Sequence, residues 1–577
     1  MLALAACATP PPTDAALLAP ALPTVAAEPG PTTGTIAFED SVHALAVFVR
    51  FPDDTADAAE WPIREADGAE RVPDWGETLL VADADAVGRL PRSDGSLSAY
   101  FWWQSRGGPA GPHVLSGEVW PRVDGRPATF VPSKSSTGYR GGGASGYGWL
   151  VAELFDTLVA DPAFDITRFD ANRDGELDHL MLIVRRDPGV RVMGGVANLS
   201  GVDSRAARTY GRPAAALAFQ RGGTTITVDL GTRGSGAISW VGGEYALGTL
   251  GHEYGHILFD IGHTPMITPP AFRSAVSNDV PADVPEATGA FACQYNRMCG
   301  GGASNGVPYE SSTYDGTPTL GGYELRRQGW ANRIVLDASR DTAGVRLRPL
   351  YGTGDVAVVG LAPGSGADTL SLEVRRRDNP FDARAPLDLG DPYYGLVYRD
   401  LPAEGLLATL TWGEPSGPWG AYLFDWMPPS NALAPGGSRC DGTSPGCTPP
   451  YGARAGDMWG RGASQITPWT RPNVSGYTLY PQGTAPNWFG ITQIRDHADG
   501  SMSFDLVADV RRQPVVEIAV DSWMGAETSG TTFRQPVRVA AGATLTVWQG
   551  ATVTFAGGLD VAPGGRCVCE PGATCVR

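Results

Sequence analysis

Apolar residues along the chain are grouped in runs that predict strands and helices. The run HALAVFVRF at 43–51 is rich in Val and Phe and precedes Pro-Asp-Asp, which is typical of a buried strand ending in a turn. HLMLIVR at 179–185 has the same character, whereas 147–160 repeats apolar residues at helical spacing. A strand, a helix and a second strand in this order predict a parallel α/β core.

The pattern changes after about residue 336. Short runs of Val, Leu and Thr, as at 355–361, 369–375 and 394–399, are separated by Gly, Pro and Asp, which predicts a β-rich, sandwich-like domain over 336–511. The segment 512–577 repeats a short β-run followed by a Gly turn, about every ten residues. It predicts a short β-solenoid-like tail or the edge of a sandwich.

The first residues indicate an export signal. Leu4-Ala5-Ala6-Cys7 is typical of a bacterial lipobox, in which Cys7 is lipidated, although an accidental match in an Ala-rich segment is the alternative. The stretch up to residue 36 is rich in Ala, Pro and Thr, as a flexible tether would be. No run of about 18 apolar residues occurs. We therefore expect an extracytoplasmic protein, secreted or lipid-anchored on a bacterial envelope membrane.

The cysteines agree with an oxidising compartment. Of eight cysteines, four form two close pairs that are candidate disulfides, Cys293 with Cys299 and Cys440 with Cys447. A C-terminal trio, Cys567, Cys569 and Cys575, leaves its pairing open.

Composition narrows the range of partners. With 44 basic and 62 acidic residues the net charge is −18, which argues against nucleic acid or an anionic membrane surface as the main partner. Membrane contact is then expected only through Cys7, and we expect a monomer. The 76 Gly and 48 Pro residues favour a turn-rich, largely β protein over a helical bundle.

The motif His252-Glu253-Tyr254-Gly255-His256 predicts a zinc site. Residues four apart share a helix face, so both imidazoles can bind one ion, and Glu253 is placed to act on a water beside it. A buried apolar stripe supports the helix: Leu247, Leu250, Tyr254, Ile257, Leu258 and Ile261. The two histidines fall on the opposite face, and the helix is predicted to end at Gly262.

A catalytic zinc needs a third protein ligand. His263 is the first candidate, since Gly262 could turn the chain back towards the metal. Glu286 and Asp260 are the alternatives, and Met298 could form a methionine turn beneath the site.

A second motif predicts calcium binding. Residues 170–178 read D-x-N-x-D-G-x-x-D, with side-chain oxygens at positions 1, 3, 5 and 9, a Gly at 6 and the Glu176 carbonyl at 7. The side-chain ligands would be Asp170, Asn172, Asp174 and Asp178. Met181 stands where an EF-hand has Glu, so the loop is not an EF-hand. An acidic turn without metal is the alternative.

With these motifs, most of residues 40–510 resemble the immune inhibitor A-like (M6) zinc metalloproteases. The similar segments, in order, are ALAVFVRFPDD, SLSAYFWWQSRGGPAGPHVLSGEVW, FDANRDGELDHLMLIV, HEYGH, YELRRQGW, LSLEVRRRDNPFD and GDMWGRGASQITPWTRP. The chain departs from the family's HExxHxxGLPD, since HEYGH continues here as ILFDIGHTP.

The resemblance implies a secreted zinc endopeptidase with a supporting calcium ion, acting on proteins or peptides, with Glu253 as general base. It implies an α/β zincin-type catalytic domain over 37–335, after the signal and tether of 1–36. Two alternatives remain at this point: a non-catalytic, calcium-dependent surface-binding protein, and a zinc amidase acting on cell-wall peptides.

Overall fold

The computed structural model describes most of the chain from residue 41 onward. The described ranges are 41–55, 61–64, 68–139, 147–185, 195–196, 216–229, 235–239, 243–259, 319–361, 369–382, 404–412, 423–426, 458–460, 463–470, 488–525 and 528–576.

The first part, up to Phe259, is built around a five-stranded sheet. The described strands of this first part are β1 (Ser41–Val49), β2 (Val114–Val119), β3 (Arg122–Val123), β4 (Arg126–Pro127), β5 (Leu180–Val184), β6 (Gly195–Val196), β7 (Ala216–Arg221), β8 (Thr224–Asp229) and β9 (Ser235–Ser239). β3 pairs with β4 and β7 with β8, outside the five-stranded sheet. The described helices are α1 (Asp74–Glu77), α2 (Ala84–Val87), α3 (Leu97–Ser105), α4 (Tyr147–Ala160) and α5 (Gly243–Phe259). The sheet order is β2-β1-β5-β9-β6, and only β6 runs antiparallel to its neighbour.

Helices cover both faces of this sheet. On β1, Ala44, Ala46 and Phe48 belong to an apolar cluster with residues of α3 and α5, whereas Leu45 and Val47 pack with α4. A strand buried on both faces reads as a continuous apolar run, which is why 43–51 shows no alternation. The parallel α/β core expected from the strand–helix–strand order is present.

One carboxylate, Glu118 on β2, is buried at the edge of this layer. Burial would raise its pKa, but contacts with His43 and Trp120 and the charges of Arg168 and Arg122 outweigh burial and leave the pKa below its usual value. Ionised Glu118 therefore stabilises the folded state.

The second part is β-rich. Its strands are β10 (Asn332–Leu336), β11 (Thr342–Leu347), β12 (Asp355–Gly360), β13 (Thr369–Arg375), β14 (Gly405–Trp412), β15 (Leu423–Trp426), β16 (Gly490–Asp496) and β17 (Met502–Val507), with helices α6 (Gly322–Arg327) and α7 (Leu350–Thr353). A sheet of order β10-β12-β13-β14-β15 and a sheet of order β11-β17-β16 share one apolar core. On β12, Ala357 and Val359 face that core, whereas Val356 and Val358 join the cluster that contains α5.

The last part is a stack of parallel strands. They are β18 (Val516–Ile518), β19 (Ser522–Met524), β20 (Thr531–Phe533), β21 (Val537–Val539), β22 (Thr544–Val547), β23 (Thr552–Phe555), β24 (Leu559–Val561), β25 (Arg566–Cys569) and β26 (Thr574–Val576). They form three parallel sheets, β18-β21-β24, β19-β22-β25 and β20-β23-β26, around one core.

This is the geometry of a solenoid, not of a sandwich edge. Val516 pairs with Val537 and Val537 with Leu559, so successive coils are offset by 21 and 22 residues. The repeat of about ten residues read from the sequence is therefore wrong. The sequence repeat counted one strand and its turn as a unit, whereas one coil of the solenoid contains three such units of unequal length.

Within the described ranges, no helix is both long enough and apolar enough to cross a membrane.

Candidate metal centre

The HEYGH motif lies on α5, which follows the sheet strand β9. Leu247, Leu250, Tyr254 and Leu258 pack into the cluster beneath α3, as the predicted apolar stripe requires. The helix is described as far as Phe259, so the predicted end at Gly262 lies outside the described residues.

The two histidines converge on one point. The Nε2 atoms of His252 and His256 are 2.9 Å apart, and the ring planes stand at 86°. Two nitrogens bound at 2.0–2.1 Å to a tetrahedral zinc would be about 3.3 Å apart. The pair therefore fits two zinc ligands after a shift of a few tenths of an ångström.

Both histidines are buried, as is the carboxylate between them in sequence. His252 and Glu253 are each 7 % exposed and His256 is 5 % exposed. The helical projection predicts the histidines on the face opposite the apolar stripe, and both are buried there. Burial raises the pKa of Glu253 to about 8. A cation held by the histidines would favour the charged carboxylate and lower this pKa.

The third zinc ligand cannot be read from the described residues. His263, Glu286, Asp260 and Met298 all lie outside them. Among the residues that are described, no three His, Cys, Asp or Glu side chains form a metal-binding group.

Two further histidines, His113 and His179, contact Tyr254 of α5. The Tyr254 hydroxyl is 2.9 Å from His113 Nε2, and the ring of His179 packs edge-on against Tyr254 with centroids 4.9 Å apart. Burial lowers the pKa of His179 to about 3, so its imidazole is neutral at pH 7. The sequence did not predict a role for either histidine. The only available signal was that histidine is scarce, with seven in 577 residues.

The predicted calcium loop is compact and ordered by its own side chains. Asp170 accepts hydrogen bonds from the backbone N–H groups of Asp174 and Gly175, at 2.9 and 3.1 Å. Asn172 Oδ1 also accepts from Asp174 N at 2.9 Å, and Asp174 Oδ1 accepts from Glu176 N at 2.7 Å. Gly175, the sixth position, has φ +85°, the left-handed backbone that favours Gly there.

Asp178 joins this loop to the sheet. Its carboxylate accepts from the backbone N–H of Ala171 at 3.2 Å and from that of His43 on β1 at 2.8 Å. Burial, reinforced by the charge of Asp170, raises the pKa of Asp178 to about 6, although the two hydrogen bonds oppose the shift.

The hairpin of β7 and β8 supports the loop from outside. Thr227 on β8 accepts from Leu177 N and donates to the Gly175 carbonyl, both at 2.8 Å. The Phe219 ring of the same hairpin stacks on Phe155 of α4, with centroids 4.8 Å apart. The sequence indicated the loop but not this support, which comes from about 50 residues further along the chain.

Several predicted sites fall outside the described residues: Cys7, Cys293, Cys299, Cys440 and Cys447. In the C-terminal trio, Cys569 and Cys575 form a disulfide. Their register partners in the preceding coil, Val547 and Val553, are buried in the solenoid core. In the last coil, Cys575 packs against the solenoid core, whereas Cys569 is exposed.

No family model matches the chain, and no curated protein matches it.

Proposed function

We propose that this protein is an exported, zinc-dependent endopeptidase with a zincin-type catalytic domain, similar to the immune inhibitor A-like (M6) proteases. One observation carries the proposal. His252 and His256 direct their Nε2 atoms to one point on a buried helix, and the carboxylate of Glu253 is buried beside them. Histidines on a solvated helix face would be exposed and would have no reason to bring their Nε2 atoms together.

The surrounding sheet supports a peptide substrate. The metal helix packs against β9 and against β6, which among the described residues is the antiparallel strand at the edge of the sheet. An edge strand offers unpaired backbone groups to which an extended peptide can add. Such a peptide would run alongside the helix that carries the histidines.

The chemistry follows from the residue types. When bound, zinc would act as a Lewis acid, polarising the peptide carbonyl and making a water acidic. His252, His256 and a third ligand would hold the ion. A Glu253 carboxylate oxygen would take a proton from the attacking water and then pass it to the departing amine nitrogen. The buried setting keeps bulk water from these groups.

Calcium binding by residues 170–178 belongs to the same proposal. The Asp170, Asn172 and Asp174 side chains, the Glu176 carbonyl and Asp178 supply hard oxygen ligands, with further positions left for water. Because Asp178 is hydrogen-bonded to β1, an ion here would brace the loop against the sheet.

Casein digestion tests the activity. The purified protein should cleave casein, lose cleavage with a zinc-selective chelator and regain it when zinc is restored. Peptides from the cell wall, assayed in parallel, separate an endopeptidase from an amidase. Cleavage of cell-wall peptides without casein cleavage would overturn the proposal in favour of the amidase. Cleavage of neither would favour a non-catalytic binding protein.

A further inference from the structure

The metal helix α5 is attached to the body of the protein by hydrogen bonds at two points. The first is at Tyr254, which lies about 200° around the helix from each histidine and so points away from the metal side. Its hydroxyl is 2.9 Å from Nε2 of His113, and both side chains are buried. His113 is fixed in turn, because its backbone N–H donates to the Ser105 hydroxyl at 2.7 Å.

The second point lies near Phe259, the last described residue of the helix. Gln328, just after α6, donates from Nε2 to the backbone carbonyl of Leu258 at 2.5 Å. A side-chain donor to a backbone carbonyl fixes the helix at that residue. Leu258 lies two residues after His256, the second candidate ligand.

One short segment connects the two points. Trp330, two residues after Gln328, stacks on the His113 ring with centroids 5.5 Å apart and planes at 26°. The segment is held to α6 by the Trp330 N–H, which donates to the Leu325 carbonyl, and it leads directly into β10. We call Tyr254, His113, Gln328 and Trp330 the clamp.

We propose that the clamp fixes where the metal helix lies and thereby holds His252 and His256 in position to bind zinc. This inference rests on the proposed zinc site and makes the four clamp residues positioning residues. Zinc holds each ligand nitrogen near 2.0–2.1 Å, so a shift of the helix that carries both histidines would change their fit to the ion. Groups that orient metal ligands commonly tune metal affinity.

Zinc affinity and a cobalt spectrum test the clamp in the full chain. Tyr254→Phe removes one hydroxyl and keeps the ring, and Gln328→Met removes the donor to Leu258. Tyr139→Phe is the matched control. The Tyr139 hydroxyl is also buried, donates to Glu153 at 2.5 Å, and belongs to the core on the other face of the sheet.

Each clamp variant should bind zinc about five-fold more weakly than the parent in chelator competition. That is about 1 kcal/mol, the usual net contribution of one hydrogen bond. The visible absorption of bound Co²⁺, which reports ligand geometry, should shift in both clamp variants. The control should lose thermal stability without either change.

Zinc affinity and Co²⁺ spectra that match the control in both clamp variants would overturn the inference while leaving the zinc site intact. If Tyr254→Phe does not fold, Gln328→Met decides, since Gln328 is only half-buried. A parent protein that binds no zinc would overturn the proposed function and the clamp together. Zinc binding with the expected losses, but no casein cleavage, would support the clamp and overturn the protease.

Discussion

Removing one member of the buried ion pair between Asp54 and Arg185 should destabilise the protein strongly. Arg185 Nη1 lies 2.6 Å from Asp54 Oδ2, and each side chain is at most 1 % exposed. The pair joins the turn after β1 to the residue after β5, and Arg185 Nε also donates to the Trp61 carbonyl at 2.8 Å. Asp54→Leu would leave the guanidinium buried without the Asp54 carboxylate.

The magnitude follows from this burial. Breaking a buried pair by removing one partner costs about 3–5 kcal/mol, which raises the unfolding equilibrium constant more than about 100-fold. Removing both charges, as Asp54→Leu with Arg185→Met, should cost much less than the two single losses added together. A coupling energy of at least about 2 kcal/mol is expected.

Urea unfolding, followed by Trp fluorescence, measures the free energy of unfolding of the parent, the two single variants and the double variant. A parallel cycle on Arg126 and Glu77 is the control, since this pair is also 2.8 Å apart but is 57 % and 33 % exposed. Its coupling should be below about 1 kcal/mol. If the Asp54 and Arg185 losses simply add, or if the two cycles give equal coupling, the reasoning from burial is refuted.

Three further predictions concern charge and metal. Arg168→Ala removes a charge that lowers the pKa of Glu118, so the stability that ionised Glu118 contributes above pH ~4.5 should be lost at a higher pH during acid titration. In a Glu118→Gln background, Arg168→Ala should no longer move the midpoint of acid unfolding. An unchanged midpoint in the Arg168→Ala single variant would contradict the prediction. Removing calcium with zinc retained should lower the melting temperature, because calcium at 100 times its Kd stabilises the folded state by about 2.7 kcal/mol. The melting temperature of Asp174→Ala should not respond to calcium. Unchanged melting in both tests would show that the loop is an acidic turn that binds no calcium. His263→Ala should reduce bound zinc and activity together while Glu286→Ala stays mild, and the reverse result in zinc analysis would assign the glutamate.

Local patterns predicted the elements that local forces determine. The spacing of Leu247, Leu250 and Tyr254 predicted the helix that carries HEYGH, and the continuous apolar run at 43–51 predicted a buried strand, which proves to be covered on both faces. The Gly at the sixth loop position has the backbone that a sharp turn requires.

Contacts between distant residues could not be predicted in this way. His113 and Tyr254 are 141 positions apart, and no spacing rule connects them. A helical projection places His252 and His256 opposite the apolar stripe, but their burial depends on what packs over the helix, which no projection shows. The solenoid repeat failed for a related reason, because only pairing between coils, such as Val537 with Leu559, reveals which units stack.

The central claim is that Glu253 moves protons at a zinc held by the neighbouring histidines, and Glu253→Gln tests it most directly. Zinc per chain and casein cleavage should be measured together for this variant, the parent and His256→Ala. The account predicts zinc content equal to the parent in Glu253→Gln with cleavage reduced at least ~100-fold, and loss of both in His256→Ala. Near-normal casein cleavage by zinc-loaded Glu253→Gln would contradict it.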